Sequence, residues 1–75
     1  MEYDSEFLSR VMKSKRMARG WTQLDLAEAS GVSAGVISDY ERCAVKPQFP
    51  TLVKLASSLG CSTDDFVKHK EVEVQ

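Results

Sequence analysis

Hydrophobic residues recur along this chain at helical rather than strand spacing. Phe7, Leu8, Val11 and Met12 stand three and four positions apart, joined more loosely by Ala18, and that spacing gathers them on one face of an α-helix. The helix predicted over residues 5–19 has Asp4 or Ser5 as its N-cap and Gly20 as its stop, because a short side-chain oxygen accepts from the first free N–H groups and glycine tolerates the left-handed turn that ends a helix. Thr22 caps the next segment, QLDLAEAS, in which Leu26 and Ala27 face inward, Asp25 complements the positive helix start and Gly31 ends the element. Two turns of helix are marginal alone and must be held by packing.

Ser33 is a third N-cap, and Val36, Ile37 and Tyr40 give the helix behind it a buried stripe. Residues 43–50, CAVKPQFP, hold both prolines of the chain and read as a loop. In TLVKLASSLG, Leu52, Leu55, Ala56 and Leu59 take core spacing with Gly60 as C-cap, and Ser62 with Asp65 resembles a capping box opening a last helix. The tail KHKEVEVQ alternates apolar and charged residues, compatible with a strand. The expectation is an all-α domain of five short helices over residues 1–70. Residues 71–75 form a tail that is either disordered or in contact with a dimer partner.

A chain of 75 residues has room for one core, since a domain this small buries only about 60% of its unfolded surface. With 43% hydrophobic and 28% charged residues it has the balance of a folded globular domain. No apolar run approaches the roughly 18 residues of a membrane span. The start MEYDSEF is acidic, where a signal peptide is basic and then apolar. A cytoplasmic protein without a membrane contact is the expectation. Cys43 and Cys61 form no CxxC pair and His69 is the only histidine, so a zinc site lacks ligands and spacing. Neither a glycine-rich phosphate loop nor a G-x-S-x-G turn is present. No enzyme, metal or cofactor is expected, and both cysteines read as ordinary reduced residues.

The net charge of −1 at first opposes a nucleic-acid partner, whose usual footprint is strongly basic. Its distribution changes the picture. Residues 10–19 contain Arg10, Lys13, Lys15, Arg16 and Arg19 and no acid, while the rest of the chain sets five bases against eleven acids. The field of the basic segment acts locally, on a nucleic acid or simply as a solvated helix face.

Two short helices joined by a turn containing Gly31, the second with its apolar stripe inward, make a helix-turn-helix arrangement, whose second helix offers its outer N-terminal residues to a major groove. The order and spacing of RVMKSKR, GWTQLDLAEASGVS, ISDYER, KPQFPTL and LASSLGCSTDDF also resemble the lambdoid phage repressor and Cro family, over roughly residues 8–67. The resemblance implies a lambda-repressor-like domain of phage or prokaryotic type, with Gln23 to Ser30 as supporting helix and Ala34 to Cys43 as recognition helix. It implies that Ser33, Ala34, Gly35, Val36 and Asp39 face bases. Gln23, Arg42 and Lys46 are then phosphate-binding, with Lys13 and Arg10 added from helix one, and Arg16 pairs with Glu41. Trp21 falls where the family carries a core residue, with a base-stacking platform as the other reading.

Two departures stand out. Cys43 replaces the glycine that usually ends the recognition helix, so that cap is either strained or shaped differently. The base-facing positions carry no long donors, and their charged member, Asp39, is an acceptor suited to a cytosine amino group. The function these observations imply is sequence-specific binding of double-stranded DNA by a homodimeric transcriptional repressor on a palindromic operator. Phe66, Val67, Val72 and Val74 are the candidate dimer contacts. The alternative is an antitoxin-like or anti-repressor module that uses the same fold to bind a protein partner.

Overall fold

A computed structural model describes residues 4–67 of the chain. They form α1 (Ser5–Ala18), α2 (Gln23–Ser30), α3 (Ala34–Glu41) and α4 (Phe49–Leu59), followed by a single 3-10 turn at Thr63–Phe66. The fifth helix expected from the sequence is therefore one 3-10 turn. Ser62 and Asp65 do form the capping box, but the backbone is already extended at Val67. The tail from residue 68 onward, including Val72 and Val74, lies outside the described residues.

Caps set the helix starts. Asp4 rather than Ser5 caps α1, its Oδ1 accepting from the N–H groups of Glu6 and Phe7 at 3.0 and 3.1 Å. Thr22 and Asp25 form a reciprocal capping box on α2, and Ser33 accepts from Val36 N–H at 3.2 Å to start α3. α4 begins at Phe49, inside the stretch expected to be loop, with Pro50 in its first turn. Proline is favoured there because its missing N–H has no helical partner to lose and its φ is already helical.

Leu8, Met12, Leu26, Ile37, Leu52, Leu55 and Phe66 are fully buried in one core, each contributing about 1.5–3 kcal/mol by leaving water. Trp21 packs half-buried against this core, its ring 5.0 Å from the Arg19 guanidinium. Burial pushes the Cys61 thiol pKa up, against the lowering pull of Lys15 and Arg19, which leaves it a poor nucleophile.

The end of α3 shows how the missing glycine is accommodated. The helix stops at Glu41 with Arg42 as its cap, two residues short of the expected Cys43. Cys43 itself takes φ 59°, the left-handed region. Its N–H donates to Tyr40 O at 3.2 Å and the Ala44 N–H to Asp39 O at 2.8 Å, the paired bonds of a Schellman turn. The cap is complete, and its cost is a β-carbon in a conformation that suits glycine. Cys43→Gly is expected to stabilise the fold by about 1 kcal/mol, read as a rise in the midpoint of urea unfolding; an unchanged or lower midpoint would show that the thiol's contact with Ser5 O, at 3.3 Å, outweighs the strain.

Candidate nucleic-acid interface

α3 is held against α1 and α2 by its inner face, where Ile37 and Tyr40 are buried. The opposite face is left to solvent at its N-terminal end. Ser33 and Gly35 are exposed, while Ala34, Val36 and Asp39 are half-buried. Space beside Gly35 is open, with nothing beyond the neighbouring backbone of its own helix within 4 Å of where a β-carbon would lie. Val36 thus divides its surface between core and outer face instead of closing the buried stripe.

One polar cluster fixes α3 in place. Arg16 donates through Nε to Glu41 Oε2 at 2.8 Å and through Nη2 to Oε1 at 3.0 Å. Its Nη1 donates to Trp21 O at 2.7 Å. Only 2% of the Glu41 side chain and 13% of that of Arg16 remain exposed. The hydrogen bonds to Glu41 raise the Arg16 pKa above its ordinary value, outweighing the effect of burial. Gln23 Nε2 donates to Glu41 Oε1 at 3.2 Å, and Ser9 Oγ to the Glu41 carbonyl at 2.6 Å. The end of α1 and the start of α2 therefore meet on the Glu41 carboxylate at the end of α3, and Arg16 ties the turn before α2 to the same cluster through the Trp21 carbonyl.

The Asp39 carboxylate, expected to face a base, is paired through one of its two oxygens. Arg42, one turn further on, donates through Nη2 to Asp39 Oδ1 at 2.6 Å, with 64% of the Arg42 side chain and 37% of that of Asp39 exposed. The i,i+3 spacing on a helix brings the two within reach. Asp39, Val36, Lys46 and Thr51 line one open concavity formed by α3, the following loop and α4. That loop is tied back to α3, since Gln48 N–H donates to Tyr40 Oη at 2.9 Å. Arg10 and Lys13 are exposed on α1, where Arg10 lines a separate shallow groove with Phe7, Val11, Ser14 and Lys15. Phe66, expected as a dimer contact, is instead fully buried within the monomer, and Val67 is half-buried.

The sequence reading missed three parts of this arrangement. Ser9 and the Trp21 carbonyl carry no pattern that marks them as partners of Glu41 and Arg16. Phe49, 57% exposed in the first turn of α4, was hidden in a proline-flanked stretch, although proline just inside a helix start is a signal that places it.

The helix-turn-helix family HTH_3 matches residues 12–66. The chain belongs to this family. Among its relatives is the HTH-type transcriptional regulator SutR of Escherichia coli strain K12, 39% identical over 67 residues, which are 89% of this chain and 38% of that protein. The HTH-type transcriptional regulator ImmR of Bacillus subtilis strain 168 is 34% identical over 65 residues, covering 87% of this chain and 51% of that protein. The chain thus spans about two fifths and one half of these curated relatives. In solved structures, the P22 c2 repressor in complex with a synthetic operator superposes with a TM-score of 0.75 at 30% identity, over 81% of this helix-turn-helix chain and 92% of the repressor. The family match runs from the middle of α1 through the 3-10 turn, and the chain carries the lambda-repressor-like helix-turn-helix domain of transcriptional regulators. No helix among its described residues is long and apolar enough to cross a membrane.

Proposed function

We propose that this domain is a sequence-specific DNA-binding transcriptional regulator that acts as a homodimeric repressor on a palindromic operator. The observation that carries the reading is the outer face of α3, open to solvent at Ser33 and Gly35 and held from behind by the Arg16–Glu41–Gln23 cluster. Laid in a major groove, α3 brings Ser33, Ala34, Gly35 and Val36 to the base edges, with Asp39 one turn further along. Small side chains let the helix approach closely, so that Ala34 and the Val36 methyls meet thymine methyl groups. With few bidentate donors in this set, base pairs the protein does not touch contribute through their deformability.

Lys46 serves a phosphate beside the groove and positions the protein without reading sequence, and Arg42 serves a second phosphate. Gln23 keeps its second amide N–H for a phosphate while the first holds Glu41. Arg10 and Lys13 extend the same function from α1. One recognition helix touches few bases, and two half-sites about one helical turn apart provide the area that specificity requires. With Phe66 committed to the core, Val67 remains the described member of the expected dimer set.

The reading is tested by selecting bound duplexes from random fragments. An enriched palindrome whose half-sites lie 10–10.5 base pairs apart, centre to centre, is the expected result. Selection without any enriched motif would instead favour the reading of this face as a site for another protein.

A further inference from the structure

We infer that the Asp39–Arg42 ion pair is a latch that couples base reading to phosphate binding. The inference rests on the DNA-binding function proposed above. In the free protein Arg42 is tied to Asp39 at 2.6 Å, on the same side of α3 as the concavity lined by Val36 and Lys46. Two neighbouring groups with opposite demands on DNA are thereby combined. Asp39 repels phosphate and suits a cytosine amino group, whereas Arg42 suits a phosphate or a carboxylate. While they hold each other, Asp39 Oδ1 and Arg42 Nη2 are engaged and each charge is partly offset by its partner.

At a cognate half-site both partners are exchanged. The Asp39 carboxylate accepts from a cytosine N4 amino group, and the released Arg42 guanidinium moves to a phosphate. On other sequences no cytosine replaces Arg42, so moving Arg42 to the backbone leaves Asp39 unpaired and close to negative phosphates. The magnitudes suit an exchange. An exposed ion pair shifts an equilibrium by less than about fivefold, while a good base contact is worth about 5- to 150-fold. The pair is therefore a bias of at most a few-fold that favours holding Arg42 back on non-cognate DNA and yields at the right base. It also answers the lack of long donors at the base-facing positions, because one acceptor makes the dependence of a phosphate contact on sequence explicit.

The test measures affinity against salt for two duplexes, the palindrome selected from random fragments and a scrambled duplex of the same length. Wild type, Asp39→Asn, Arg42→Ala and the double variant are compared, with thermal unfolding of each as the control for folding. Asp39→Asn frees Arg42 everywhere, so the slope of log K against log salt on the scrambled duplex should steepen by about 0.9 per protomer, one phosphate's worth. The ratio of operator to scrambled affinity should fall. Arg42→Ala should flatten the operator slope by a similar amount and leave the scrambled slope unchanged. In the double variant the gain of Asp39→Asn on scrambled DNA should vanish.

Persistence of that gain in the double variant would overturn the latch, since it would show Asp39 acting by repulsion alone. Equal flattening of both slopes by Arg42→Ala would overturn it as well, because Arg42 would then sit on phosphate whatever the sequence. If Asp39→Asn fails to fold, Asp39→Ser tests the same point. A wild-type protein with no salt dependence on either duplex removes the DNA-binding function itself, an outcome distinct from loss of the latch alone.

Discussion

Arg16→Met is expected to destabilise the fold by about 3–5 kcal/mol, the cost of stranding a buried charge. Glu41 has 2% of its side chain exposed and takes Arg16 in a bidentate pair. After the substitution it keeps Gln23 as its side-chain partner, a neutral amide that does not offset a carboxylate held out of water. The Trp21 carbonyl loses its bond from Arg16 Nη1 at the same time. Replacing both partners, as Arg16→Met with Glu41→Leu, should recover much of the loss, because two apolar residues of similar volume carry no desolvation cost. Urea unfolding of the wild type, the two single variants and the double variant measures the coupling directly. Additive effects would mean that the pair is not a unit.

Binding to the selected operator should weaken by about 10³–10⁵ between 50 and 200 mM salt, the range for a protein that neutralises about 6–10 phosphates. The motivation is the segregation of charge: Arg10, Lys13, Arg42 and Lys46 are exposed although the chain as a whole carries −1. Each phosphate met by a lysine or arginine releases condensed counterions, so the number of such contacts sets the slope irrespective of overall charge. Lys46→Ala should weaken all duplexes alike and reduce the slope by about one per protomer. Fluorescence anisotropy on a labelled duplex over the salt range checks both statements. A flat dependence would remove phosphate neutralisation as the source of affinity and with it the DNA-binding reading.

The elements that were legible in the sequence are those whose signals are local. Asp4, Thr22 and Ser33 announce helix starts by side-chain chemistry alone, and Gly31 and Gly60 announce ends through the left-handed conformation each adopts. The apolar spacing of Leu52, Leu55, Ala56 and Leu59 survives intact in the core. Legibility failed where an outcome depends on partners distant in the chain. Ser62 and Asp65 promise a helix, but after one turn Phe66 is drawn into the core and the backbone extends. The same burial removes Phe66 from a dimer surface. The Asp39–Arg42 pair is different, since it is local: the i,i+3 spacing carries the signal, and the sequence reading placed the two residues by face and missed it. Arg16 and Glu41 are 25 positions apart, and no spacing rule joins them; the family resemblance carried that expectation.

Tyr40 gives the loop after α3 a property that its proline content alone would not. The Schellman turn fixes the loop at Cys43 and Ala44, and the Tyr40 hydroxyl fixes it again at Gln48. Between these anchors lie only Val45, Lys46 and Pro47, and proline's ring restricts the last of them. Ordering a free backbone costs roughly 1–2 kcal/mol per residue on association, and here that ordering is already part of the folded state. Lys46 is thus carried on a short, pre-set bracket whose height above α3 is decided when the protein folds, so that one rigid template offers the groove contacts and their flanking cation in a single register.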